Sequence, residues 1–146
     1  MKYSIEIDQP LQKVVELFIN KDNLNKWQKK LVGYELISGT PNTVGAVTKL
    51  NYKGVTIFET ITASSLPAEI AGQYEHKHND KTVMSHSTSH QFSSSGQNKT
   101  RYEMDIRNEI FFGFLPKLMS GLMAGAIKKY NQGLLNDFKS FAEQTR

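Results

Sequence analysis

Apolar and polar residues alternate through "KYSIEID", placing Tyr3, Ile5 and Ile7 on one face, and this period of two predicts a half-buried strand over residues 2–8. The period then lengthens. Pro10 suits the first turn of a helix, and Leu11, Val14, Val15, Phe18 and Ile19 follow at helical spacing as far as "NKDN". "NLNKWQKKL" reads as a second short helix with Asp22 or Asn23 as its N-cap. From residue 31 to about 111, turn chemistry recurs in "SGTPN", "KG", "SLP", "HND" and "SSSGQN", separating about six stretches of strand and defining an antiparallel meander. In "TRYEMDIRNEI", Arg101, Glu103, Asp105, Arg107 and Glu109 share one face and Tyr102, Met104, Ile106 and Ile110 the other. One face of that strand is expected to meet water and the other a core.

After Pro116 the helical period returns. Leu118, Leu122, Ile127, Tyr130, Leu134, Phe138 and Phe141 form one stripe, with Lys128, Lys129, Asp137, Lys139 and Glu143 mostly opposite, so the chain ends in a long amphipathic helix. The predicted whole is a single α+β domain over residues 1–146. Two short helices follow the first strand, and a curved antiparallel sheet of about seven strands buries its apolar face on the C-terminal helix. A strongly curved sheet cannot touch a straight helix along its whole length. The mismatch predicts a cavity between them.

Composition narrows the function classes. At 146 residues, with 38% hydrophobic and 22% charged, the chain fits one folded domain and not a disordered one. The net charge of +4 comes from basic residues scattered among 14 acidic ones, without a dense basic stripe, so no nucleic-acid partner is expected. The absence of cysteine excludes a disulfide framework, a thiolate nucleophile and a cysteine-ligated metal. The N-terminal stretch lacks the apolar core of a secretory signal, which makes the cytoplasm the expected location.

The most apolar stretch, "FFGFLPKLMSGLMAGAI" at 111–127, is interrupted by Gly113, Pro116 and Lys117. A spanning helix needs about 20 nearly uninterrupted apolar residues, so stable membrane insertion is not expected. Gly113 and Pro116 instead mark a turn into the helix, with Phe111, Phe112, Phe114 and Leu115 around an entrance. Gly121, Ala124, Gly125 and Ala126 make part of the helix slender, as helices are where sheet, ligand or a second subunit approaches closely. The spacing Gly121-x-x-x-Gly125 is a weak pairing signal outside an apolar span and leaves the oligomeric state open.

Four passages carry a family resemblance: "YSIEIDQPLQKVVELFIN"; "NLNKWQKKLVGYELISGTPNTVGAVTKLNYKG" with its helical Trp27; "ETITASSLPAEIAGQYEH"; and "NKTRYEMDIRNEI" leading into the terminal helix. Over nearly its whole length the chain resembles the SRPBCC superfamily, which includes START lipid-transfer domains, plant pathogenesis-related and birch-pollen-type proteins, and polyketide cyclase-like proteins. The resemblance implies a helix-grip fold, a hydrophobic ligand cavity and, as in most members, no cofactor. None of these passages is a catalytic signature, so they speak to fold more than to activity.

Candidate chemistry lies on the strands. A two-residue turn at Lys53-Gly54 pairs Tyr52 with Val55, Leu50 with Ile57 and Thr48 with Glu59, which sets Glu59 on the face of Ile57 and Ile61. A carboxylate on an inward face needs a partner and is a candidate cavity acid or proton acceptor; a bulge or an edge position would turn it to solvent instead. "VMSHSTSHQF" places Met84, His86, Thr88, His90 and Phe92 on one face, and if Met84 and Phe92 mark the inside, both histidines line the cavity. His86 and His90 would stand about 13–14 Å apart along a strand, too far to share one metal ion. Register decides whether they face inward. A two-residue turn at Asn79-Asp80 sets Tyr74 opposite Ser85, and a three-residue turn sets it opposite His86. His76 and His78 form an i, i+2 pair without a third ligand at a recognised spacing, so no metal site is expected. No G-x-G-x-x-G run, P-loop or nucleophile elbow is present.

The expected cavity lining is Trp27, Leu50, Ile57, Tyr74, Tyr102, Met104, Phe114, Leu118, Met119 and Leu122, with Glu59, His86 and His90 as polar candidates. The leading reading is the binding of a small or medium hydrophobic molecule of lipid, polyketide or aromatic type. The alternatives are an enzyme of the polyketide cyclase or aromatase type using cavity acid and base residues, and a protein-binding module like the co-chaperone relatives of the fold. The last would be marked by an exposed apolar patch near Phe111 to Leu115.

Overall fold

The computed structural model describes residues 1–113, 121 and 123–145. The chain runs β1 (Lys2–Ile7), α1 (Leu11–Ile19), a 3-10 turn (Lys21–Asn23), α2 (Leu24–Trp27), β2 (Leu31–Ser38), β3 (Val47–Tyr52), β4 (Val55–Ser65), β5 (Glu69–His78), β6 (Lys81–Gly96), β7 (Lys99–Phe111) and α3 (Ala124–Gln144). The strands form one antiparallel sheet in the order β1-β7-β6-β5-β4-β3-β2. Strands β2 to β7 are a meander of neighbours. The α1–α2 segment carries the chain from one edge of the sheet to the other.

The period-two pattern of the first strand translates directly into burial. Tyr3 and Ile7 are buried and Ser4 and Glu6 exposed, because alternate residues of a strand point to opposite faces. Ile7, Val14, Leu135 and Phe138 are fully buried, joining β1, α1 and α3 in one core with Trp27, Phe92, Tyr102 and Met104. Phe18 is its hub. Its ring lies 4.9 to 5.4 Å from the rings of His90, Phe92, Tyr102 and Phe138.

The C-terminal half of α3 is fastened to the β1–α1 turn. Gln9 donates through Nε2 to the carbonyls of Ala142 and Thr145 at 3.0 and 2.9 Å, and the Asp8 N–H donates to Glu143 at 2.7 Å. The first turns of α3 are different. Ala124, Gly125, Ala126, Lys128 and Lys129 are exposed, and a Cβ added at Gly121 or Gly125 would meet no heavy atom of the described residues within 4 Å. Among the described residues, nothing packs closely where a side chain at either glycine would stand.

Two local expectations are corrected, on the second helix and on the faces of β7, and the open β5–β6 register is decided. The second helix is one turn long and follows the 3-10 turn; Asn23 stands at its N-cap position, as one of the two expected residues, but its side chain makes no capping bond and donates instead to the Leu17 carbonyl at 3.2 Å, while Asn20 caps the 3-10 turn by accepting from the Asp22 N–H at 3.0 Å. Asn79 and Asp80 both adopt positive φ, as a two-residue hairpin turn requires, yet Tyr74 still pairs with His86. Lys77 pairs with Thr82 and His76 with Met84, so Val83 is an extra residue that shifts the register by one. In β7 a second irregularity at Asn108 (φ 54°) separates Arg107, paired with Ser87, from Ile110, paired with Ser85. Beyond it the faces exchange: Glu109 turns toward the cavity and Ile110 becomes 51% exposed.

Candidate functional site

The concave face of the sheet, α1, α2 and the N-terminal half of α3 enclose a cavity of about 960 Å³ with mostly apolar walls. Trp27, Leu50, Ile57, Tyr74, Tyr102, Met104, Glu59, His86 and His90 all border it. Phe114, Leu118, Met119 and Leu122 lie outside the described residues, as does Leu115. Phe112 is exposed and Phe111 half-buried beside the exposed Ile110.

Strand register builds the polar part of the wall. The Lys53–Gly54 hairpin pairs Leu50 with Ile57 and Thr48 with Glu59, and β5 and β6 extend the second row so that Thr48, Glu59, Tyr74 and His86 stand side by side across four strands. Glu59 is 6% exposed. Burial of a carboxylate demands compensation. Lys21 supplies it, with Nζ 2.6 Å from Oε1, while the Tyr74 hydroxyl donates to Oε2 at 2.9 Å.

Tyr74 reaches Glu59 because it leans over Gly72. A Cβ at Gly72 would meet Tyr74 Cε2 and the Thr60 carbonyl oxygen, each at 3.2 Å. The same hydroxyl lies 3.5 Å from His90 Nε2, and His90 Nδ1 lies 2.9 Å from the Tyr102 hydroxyl. Burial pushes the His90 pKa down to about 4 against the pull of Glu59, so the ring is neutral at pH 7. Burial also pushes the Tyr74 and Tyr102 hydroxyls well above their ordinary range, so both remain phenols. With His90 neutral, one arrangement satisfies each group: Tyr102 donates to Nδ1, Nε2–H donates over a long contact to the Tyr74 oxygen, and Tyr74 donates to Glu59. The result is a directional chain from Tyr102 to the Lys21–Glu59 ion pair.

A second cluster lies nearer the β5–β6 turn. His76 Nε2 and His86 Nε2 are 2.9 Å apart, His86 Nδ1 is 2.9 Å from Thr88 Oγ1, and the His86 ring stacks on Tyr74 at 5.1 Å and 11°. Burial holds both imidazoles down to about 4, and at His86 the neighbouring His76 and His90 add to it. One of the pair therefore donates to the other. His76 partners His86 and not His78, whose Nδ1 lies 2.7 Å from the Gly54 carbonyl oxygen. No group of three His, Asp or Glu side chains among the described residues converges as a metal site. The Trp27 indole N–H is buried without a hydrogen-bond partner among the described residues.

Sequence reasoning missed Lys21 and the role of Gly72. Lys21 sits 38 residues from Glu59 in a turn that reads as a break between helices. The signal was indirect: an inward carboxylate calls for a cation from somewhere on the facing elements.

Neither a protein-family profile nor a curated sequence matches the chain. Solved structures do. A conserved protein from Geobacillus kaustophilus superposes with TM-score 0.81 at 10% identity, covering 99% of this chain and 95% of that one. The Zhui aromatase/cyclase from Streptomyces sp. R1128 gives 0.78 at 11% identity, over 99% and 93%. A START superfamily protein from Mycobacterium smegmatis gives 0.75 at 11%, over 100% and 98%. The chain has the helix-grip fold. In a helix-grip protein the cavity between sheet and C-terminal helix is a product of the architecture, and here its polar groups come from five adjacent strands, β3 to β7, and the α1–α2 turn. No helix among the described residues is long and apolar enough to cross a membrane.

Proposed function

We propose that the chain binds a small or medium hydrophobic molecule in the cavity under α3. The observation that carries this is the cavity itself, about 960 Å³ with apolar walls and a short strip of oriented hydrogen-bonding groups. Ligand sites commonly have this form, because apolar walls supply affinity and a few polar groups supply orientation. Trp27, Leu50, Ile57 and Leu134 would hold the apolar body. Tyr74, His86 and His90 would orient a carbonyl or hydroxyl group on it.

Native mass spectrometry of the protein purified from its own host, followed by denaturation, tests the reading. A discrete small molecule should co-purify, be released on denaturation, and be absent from an Ile57→Trp variant in which the indole occupies the space. A protein that carries nothing and takes up nothing from a lipid extract would count against it.

The Tyr102–His90–Tyr74–Glu59–Lys21 chain favours one second reading, proton transfer on a bound carbonyl compound, as in a polyketide cyclase or aromatase. A neutral imidazole among phenols accepts or passes a proton without first losing one to water. Turnover of a linear poly-β-ketone thioester that disappears in Glu59→Gln and Tyr74→Phe would establish it. A folded wild type that leaves the thioester untouched would confine the site to binding.

A further inference from the structure

The cavity has a charged lip that its apolar walls do not explain. Lys29 and Lys30 follow α2, and Lys53 forms the β3–β4 turn; all three are exposed and all three border the cavity. Leu31 pairs with Tyr52, so Lys30 and Lys53 are the residues that flank the end of the β2–β3 ladder. Among the described residues none of these lysines makes an ion pair. Lys30 Nζ instead lies 5.8 Å from the centroid of the Tyr130 ring, which keeps the ammonium between the sheet edge and α3.

The carboxylates of the cavity do not answer these charges. Glu59 is deep and already paired with Lys21 at 2.6 Å. Glu109 borders the mouth from β7, three strand spacings from β4, or about 14 Å at the usual inter-strand distance. One lip of the mouth is therefore cationic, and the wall directly inside it is apolar, with Leu31, Leu50, Tyr52 and Val55 bordering the same space.

We propose that the ligand is an amphiphile with an anionic head, a carboxylate or a phosphate monoester, seated at the Lys29–Lys30–Lys53 lip while its apolar body fills the cavity. This rests on the binding reading above and names the class of ligand. Exposed charge contacts are individually weak and screened by salt, so three of them should favour an acid over its neutral counterpart by about tenfold at low ionic strength.

Displacement of the neutral fluorophore N-phenyl-1-naphthylamine by dodecanoic acid, dodecyl phosphate and methyl dodecanoate tests this. On the wild type at low salt, the acid or the phosphate should displace the probe at about one tenth of the ester concentration, and in about 0.5 M salt the ratio should fall to about twofold. The same fall is expected at low salt in Lys30→Gln/Lys53→Gln, measured as the acid-to-ester ratio on one preparation. Whichever anionic compound acts at the lower concentration identifies the head group. Equal displacement by acid and ester, or a ratio that survives both salt and the double variant, overturns the proposal and leaves the binding reading standing. A probe that binds to neither protein overturns both.

Discussion

Lowering the pH from 7 to 5 should destabilise the protein through the cavity histidines. An unfolded histidine has a pKa of about 6.5, and burial holds His76, His86 and His90 at about 4. Below pH 6.5 the unfolded chain therefore binds protons that the folded chain refuses. Stability is whole above that value, declines as the pH falls towards 4, and levels off once the folded rings are also protonated. For one histidine the full difference is worth about 3 kcal/mol. His76 and His86 touch each other and border the open cavity, so about 5 kcal/mol for all three is the more reasonable sum. That is a large part of the stability of an ordinary domain.

Two carboxyls lie below their usual range: Asp105, held there by Arg107 against partial burial, and Glu143, held by the Asp8 N–H and Lys139 against the same effect. What they contribute is lost only below the unfolded carboxylate values, near pH 4, which leaves pH 5 to 6.5 to the histidines. Urea unfolding across that window should show an uptake of about two protons near pH 5.5, reduced by about one in His86→Gln. Stability that is flat from pH 7 to 5 would mean that the three rings titrate as they do in the unfolded chain, and the neutral-imidazole account of the site would be wrong.

Other perturbations test single contacts. Glu59→Gln should cost about 2 kcal/mol, since it strands a half-buried Lys21, and a cycle with Lys21→Met should show coupling of about 1 kcal/mol or more in urea unfolding; zero coupling would remove the ion pair from the account. Gly39→Ala should cost about 1–3 kcal/mol, because its φ is +84° and a Cβ would lie 2.8 Å from Ala46 Cα, whereas Gly33→Ala, with nothing within 4 Å, should be near neutral; equal thermal midpoints would contradict this.

The elements and the inward face of Glu59 could be read from the sequence because short-range rules govern them. Tyr3, Ile5 and Ile7 alternate, Lys53-Gly54 specifies a tight hairpin, and once its register is counted Glu59 follows Ile57 inward. The β5–β6 register could not be read, because it depends on two features of opposite effect. Asn79 and Asp80 form the two-residue turn, and Val83 then adds one residue that restores His86 to Tyr74. The exchange of Glu109 and Ile110 has the same origin in one irregular residue, Asn108. Lys21 was hidden for another reason: its partner is distant in sequence, and only the packing of the α1–α2 turn over β4 brings the two charges together.

The most direct test of the central claim is a titration of wild type and Ile57→Trp with N-phenyl-1-naphthylamine, with circular dichroism confirming that both are folded. The account predicts saturable, blue-shifted fluorescence in the wild type and at least tenfold weaker binding in the variant, since the indole would fill the space beside Leu50 and His76. Equal affinity in two folded proteins would place the probe elsewhere and contradict a ligand site between sheet and helix.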